Sequence, residues 1–330
     1  MKQDSLIDPK TSNNDPLKSC IKQMIAEVPA DSRHIIPKGN IEVLAKSLWT
    51  WSQTVDGADV RVRAPEGADN QLLGHCVLEA VGPDRPFLVD SLLGACGDLG
   101  LEVLTLFHPI VELESGPRSL IQIHLPDLNA IEQDRLLTEA RATLHDVIMA
   151  TSDYQDMRRR MREEIETLAA CPHAEPRYKN EAVAFLNWLG DERFVFLGAR
   201  SYTFKTDKDG AVLPEEPDLV EGTNFGLLRD DRRNVLNRGD EPLLLTEEIG
   251  SFLAEPETLI LAKATLVSRV HRRVACDYVG VKHYGPNGKV VGETRFLGLY
   301  TAEAYNESIR NIPLLRRRLE RILEILGALP

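Results

Sequence analysis

No stretch of this sequence approaches the roughly 18 consecutive apolar residues that a membrane-crossing helix requires. Its opening, MKQDSLIDPKTSNNDP, also lacks the apolar centre of a secretory leader. A cytoplasmic protein without membrane contact is therefore expected. Cysteine is scarce: Cys20, Cys76, Cys96, Cys171 and Cys276 are scattered with no C-x-x-C pair, the usage of a reducing compartment with buried or idle thiols and no structural metal. The histidines His75, His108, His124 and His283 have no Cys, Asp or Glu at ligand spacing, which points the same way. Positive charge is in deficit, with 39 Lys and Arg against 51 Asp and Glu for a net charge of −12. That balance argues against a nucleic-acid partner, because binding a phosphate backbone needs a basic face. Glycine never occurs as G-x-G, so the G-x-G-x-x-G turn of a dinucleotide fold is absent and no cofactor is expected in this chain.

What is present suffices for about two domains, since 330 residues with 43% apolar content can bury two cores. Residues 1–54 read as a polar lead-in followed by a helix, in which Ile41, Leu44, Ala45, Leu48 and Trp49 recur at helical spacing. A first compact unit is expected over 55–152. Residues 60–62 suit a short strand and 73–81 a longer one. Gly82-Pro83-Asp84-Arg85-Pro86 then turns the chain into a helix striped by Phe87, Ser91, Leu92, Ala95 and Leu99. Residues 101–113 and 120–125 read as a hairpin across Glu114-Ser115-Gly116-Pro117, and Asn129 with Glu132 as a capping box opening the next helix. The order strand, helix, strand, strand, helix implies an α+β sandwich, a sheet with two helices over one face.

Residues 153–177 read as a helical connector, and 178–330 as a second unit. Its expected elements are a helix near 180–189, strands at 194–204, 243–246, 258–264, 274–284 and 290–300, and a closing helix over 313–326. The last two strands form a hairpin across Gly285 to Gly288, and the closing helix is expected to bury Leu315, Leu319, Ile322, Leu323 and Leu326. The arginine runs at 158–160 and 316–318 are interleaved with acidic neighbours and suit solvated or subunit-contacting helix faces.

Two groups of residues carry candidate chemistry. The first is the turn Gly82 to Pro86, which leads into a helix N-terminus, where backbone N–H groups suit a carboxylate. Alternatively, Asp84 caps the helix and Arg85 makes a surface ion pair. In the second group, Arg269, His271 and Arg273 alternate ahead of a strand and could form a carboxylate or phosphate clamp, or pair with Asp277, Glu293 or other acids. Glu293 and Arg295, two apart on one strand, share a face as an ion pair.

The segment LEAVGPDRPFLVDSLLGACGDL, residues 78–99, resembles the opening of ACT domains, in which such a turn cradles an amino acid, and the resemblance implies Gly82, Asp84, Arg85, Asp90 and Ser91 as ligand residues. The fourth ACT strand is missing after the second helix, and residues 60–62 are the candidate to fill that sheet position. The second unit's helix and antiparallel strands resemble the PAS or GAF sensor architecture. Three spaced segments carry a wider likeness: RPFLVDSLLGACGDLGLEVLTLFHPIVEL at 85–113, EAVAFLNWLGDERFVFLGARSYTF at 181–204, and SRVHRRVACDYVGVKHYGPNGKVVGETRFLGLYTAEAY with NIPLLRRRL at 268–319. Together they are similar to the N-terminal region of the large NAD-dependent glutamate dehydrogenases of bacteria. The resemblance implies a non-catalytic piece of a longer enzyme, an ACT-like domain followed by a PAS-like domain. NAD and the catalytic domain would lie downstream, with self-association and an amino-acid or metabolite effector expected here. A purely structural module and a stand-alone amino-acid sensor are the other readings.

Overall fold

The computed structural model of the chain describes residues 15–27, 36, 38–213, 217–230, 233, 237–238, 241–242, 253 and 255–327. The chain divides into two compact units, Met1–His145 and Asp146–Pro330. It is an α+β protein in which each unit is built on its own antiparallel sheet.

The first unit contains α1 (Pro16–Glu27), α2 (Lys38–Ser52), β1 (Asp59–Arg63), β2 (Cys76–Pro83), α3 (Leu88–Asp98), β3 (Thr105–Phe107), β4 (Ile110–Leu113) and β5 (Gly116–Leu125), followed by α4 (Ala130–Ser152), which runs across the division. The strand order is β1-β2-β5-β3, with β4 also on β5. Residues 60–62 do fill the outer sheet position: β1 pairs antiparallel with β2, Val60 opposite Ala80 and Val62 opposite Leu78. The strand expected over 101–113 is broken at His108-Pro109, since proline has no N–H to give to a ladder. Its two halves, β3 and β4, pair with opposite ends of β5. The capping box is formed. Asn129 Oδ1 accepts from the Ile131 and Glu132 N–H groups at 3.0 Å, and Glu132 Oε2 accepts from Asn129 N–H at 2.9 Å, an arrangement worth about 1 kcal/mol to the helix.

Part of what reads as a lead-in belongs to the fold. Cys20 and Met24 of α1 and Ile41, Leu44, Ala45 and Leu48 of α2 join Val81, Phe107, Val111 and Leu120 of the sheet in one buried cluster. Apolar residues at three- and four-residue spacing put one face of each helix on the sheet.

The second unit has α5 (Tyr154–Ala170), α6 (Pro176–Trp188), β6 (Phe194–Thr203), the short strands β7 (Asp218–Leu219), β8 (Phe225–Gly226), β9 (Asn237–Arg238) and β10 (Glu241–Pro242), then β11 (Leu259–Val267), β12 (Ala275–Tyr284), β13 (Val290–Tyr300), α7 (Ala302–Asn306) and α8 (Leu315–Ile325). The main sheet runs β11-β12-β13-β6-β7, with β8 also on β6. The β12–β13 hairpin closes where Gly285 N–H meets Lys289 O at 2.8 Å, with Gly288 left-handed at φ 78°. The strand expected at 243–246 lies outside the described residues.

Two sequence expectations need correction. Helix α5, read as a connector, supplies Met157, Met161 and Leu168 to the second unit's core, beside Phe185, Leu186, Phe196, Val279 and Phe296. Helix α8 buries none of its residues; Ile322 is 53% and Leu326 71% exposed. An apolar stripe buries only where a surface covers it, and here Leu319 and Leu323 are half-buried while Leu315, Ile322 and Leu326 stay exposed.

Candidate functional site

Turn residues of the first unit occupy different environments. Gly82 lies within β2, and a Cβ there would stand 2.8 Å from Ala58 Cβ, so its lack of a side chain serves the close approach of the chain leading into β1. Asp84 is held from inside. Its N–H donates to Pro117 O at 3.0 Å, and its Oδ1 accepts from Ser119 Oγ at 2.6 Å. Ser119 is buried and lies 3.0 Å from His108 Nε2. Burial pushes the His108 pKa below its ordinary value, against the opposing pull of Asp84 and Glu27. Asp84, Ser119 and His108 are therefore brought together, although the sequence singled out only the first for this site. The arrangement is not that of a nucleophilic triad, in which the imidazole stands between hydroxyl and carboxylate. Here the serine stands in the middle, and the network positions the turn.

Helix α3 does not start at an Asp84 cap. Its N-cap is Phe87, left-handed at φ 71° with no side-chain cap. Asp90 is exposed in the first turn and Ser91 is buried; both are engaged within the protein. Arg85 is exposed and makes no hydrogen bond or ion pair with any described residue. Of the five turn residues, Arg85 alone offers an uncommitted charge, next to the N-terminus of an 11-residue helix.

The second candidate group lies in the loop between β11 and β12. Arg269 pairs with Asp146 at 3.8 Å, and Arg233 reaches the same carboxylate at 2.6 Å. His271 is left-handed at φ 64°, and both it and Arg273 are engaged within the protein. Arg272 donates to Tyr300 O at 2.5 Å. The acids expected as partners are taken by others: Asp277 by Lys263 at 2.6 Å, and Glu293 by Arg295 at 2.5 Å and Tyr278 Oη at 2.7 Å. Arg269 is thus held by a carboxylate already, while Glu293 and Arg295 form the ion pair their spacing predicts.

A buried polar ladder was missed by sequence reasoning. Arg61, Glu79 and Gln122 stand in register across β1, β2 and β5. Glu79, fully buried, accepts from Arg61 at 2.5 Å, from Arg63 at 2.8 Å and from Gln122 Nε2 at 2.6 Å. Gln122 Oε1 faces His124 Nε2 at 2.9 Å, and His124 Nδ1 faces His75 Nε2 at 2.8 Å. Because Glu79 takes the Gln122 amide N–H, Gln122 presents its oxygen to His124. That makes His124 Nε2 the protonated nitrogen and leaves Nδ1 to accept from His75.

NAD, which the resemblance implies for a parent enzyme, does not fit these residues. All three sheets among the described residues, the two-stranded β9–β10 pair included, are antiparallel, with no parallel β-α-β crossover to carry a pyrophosphate. In the turn from β2 into α3, Gly82 is closed against Ala58. No group of three or more His, Cys, Asp or Glu suited to a metal occurs among the described residues, nor is any described helix long and apolar enough to cross a membrane.

Residues 20–163 match the family model described as the glutamate dehydrogenase ACT1 domain. The chain is 31% identical over 309 residues, 86% of its length, to the NAD-specific glutamate dehydrogenase of Halomonas elongata, of which it spans 19%. It is 29% identical over 294 residues, 82% of its length, to the NAD-specific glutamate dehydrogenase of Pseudomonas aeruginosa, of which it spans 18%. The chain thus covers about a fifth of the length of these curated relatives.

Proposed function

Because residues 20–163 belong to the glutamate dehydrogenase ACT1 family, we propose that this chain is the non-catalytic N-terminal regulatory and assembly region of an NAD-dependent glutamate dehydrogenase. The parent reaction is L-glutamate, NAD and water to 2-oxoglutarate, ammonia and NADH. Cofactor and chemistry belong to the catalytic domain downstream, which is also this region's partner in the cytoplasm. The observation that carries the reading is the family match over a sheet of order β1-β2-β5-β3, whose first inner strand leads through Gly82 to Pro86 into α3.

In this reading the first unit senses an amino acid. Arg85, beside the N-terminus of α3, takes its carboxylate. The second unit is PAS-like, a sheet backed by α5 and α6, and pairing through the outer strands of the sheets would give self-association. A second reading, a structural module without ligand, is favoured by one observation: Asp84 is already satisfied by Ser119.

Calorimetry and thermal shift of the chain against the common amino acids and 2-oxoglutarate separate the two. A ligand at a hundredfold excess over its Kd adds about 2.7 kcal/mol of stability. A hit lost in Arg85→Ala but kept in Arg177→Ala supports the sensor; no hit across the panel leaves the structural module.

A further inference from the structure

A cavity of about 630 Å³ opens within the second unit between α6, α7, α8 and the strands β11 to β13. Its size is that of small-molecule sites. One wall is aromatic: Trp188 stacks on Phe185 at 5.6 Å and tilts against Tyr300 at 6.3 Å. Among the described residues, one polar atom on each of two lining side chains lacks a partner. Thr258 is 1% exposed, and its Oγ1 makes no hydrogen bond; the Trp188 indole Nε1 is likewise buried and unbonded. Both atoms are closed off behind the cavity surface, so its aromatic wall and the charges that line it carry the recognition.

The mouth carries a local surplus of positive charge on a chain of net charge −12. Arg177, Arg317, Arg318 and Arg321 line it, and none forms an ion pair among the described residues. Arg317 lies 4.9 Å above the Tyr178 ring and donates to Arg177 O at 3.0 Å. Of the acidic groups in the lining, Glu307 is paired with Arg193 at 3.5 Å, leaving Glu255 and Glu257 to set against four arginines. Lys282 is withdrawn, its Nζ donating to Leu253 O and Glu255 O at 3.0 Å.

We propose that this cavity binds a small organic anion with a flat unsaturated body. The body lies against Trp188, Phe185 and Tyr300. The arginines at the mouth hold its carboxylate or phosphate. The site shares no residue with the Arg85 turn, so either can fail without the other.

The test uses 8-anilinonaphthalene-1-sulfonate and its neutral counterpart N-phenyl-1-naphthylamine on the full chain. The expected result is one saturable sulfonate site, weakened at least tenfold in Arg317→Ala/Arg321→Ala, with binding of the neutral probe changed less than twofold. Quenching of tryptophan emission on binding should also be lost in Trp188→Phe. Equal binding of both probes to wild type and arginine variant overturns the proposal, as does quenching that persists without Trp188. The arginines are surface groups, so their variant reports on binding even where Trp188→Phe folds poorly.

Discussion

Lowering the pH from 7 to 5 should weaken the first unit through His124. This side chain is fully buried between Gln122 and His75, and burial, reinforced by the charges of His75 and Arg63, pushes its pKa down to about 3. Burial also lowers the His75 pKa, against the opposing pull of the Leu73 carbonyl, which would accept from the second N–H of the charged ring. In the unfolded chain a histidine titrates near 6.5, so between about 6.5 and 3 the unfolded state binds a proton that the native state refuses. Stability is therefore complete above the unfolded pKa and falls as the pH drops through that window, by up to about 1.4 kcal/mol per pH unit. Between pH 7 and 5 His124 alone accounts for about 2 kcal/mol, with His75 adding to the same side. Urea unfolding followed by emission from Trp49 and Trp51, in a Trp188→Phe background that silences the second unit's tryptophan, reads this unit separately. His124→Gln, neutral at every pH, should remove most of the slope between pH 7 and 5. Equal stability at pH 5 and 7 in the parent chain would refute the reasoning, and so would a slope that His124→Gln leaves unchanged.

Glu79→Gln should cost roughly 2 to 4 kcal/mol in urea, since it leaves Arg61 and Arg63 without their carboxylate in a fully buried setting, tempered by the partial exposure of both arginines. Gly226→Ala should lower the melting temperature of the second unit sharply. Gly226 has φ 58°, and a Cβ would stand 2.2 Å from Leu197 O, a backbone clash that costs on the order of 3 kcal/mol or more. Two leucine and isoleucine truncations should separate buried from exposed apolar stripes. Leu186→Ala, in the core beside Phe185, should cost about 2 to 5 kcal/mol, whereas Ile322→Ala on α8, 53% exposed, should stay within about 0.5 kcal/mol; comparable losses at the two positions would contradict the placement of α8.

The contrast between α6 and α8 marks where local sequence stops informing. Both carry apolar residues at helical spacing, and both form helices, because periodicity and capping act within a few residues. The spacing states which face would bury; whether a surface exists to cover it depends on chain far away. The capping box at Asn129 and the turn at Gly285 to Gly288 were legible for the same local reason. Site residues follow the opposite rule. Asp84 is satisfied by Ser119, 35 residues on, and Arg269 by Asp146, more than a hundred residues back, so listing charged neighbours in sequence offered the wrong acids. Glu293 and Arg295 were legible because their partner is two residues away on the same strand. The buried ladder falls between these cases. Arg61 and Arg63, and Gln122 and His124, are each two apart on a strand, a spacing that puts each pair on one face. Once β1 is accepted as the outer neighbour of β2, register places Glu79 between Arg61 and Gln122 without further assumption. What hid the ladder was the strand order, not the residues, and strand order is the property that short-range patterning reports least.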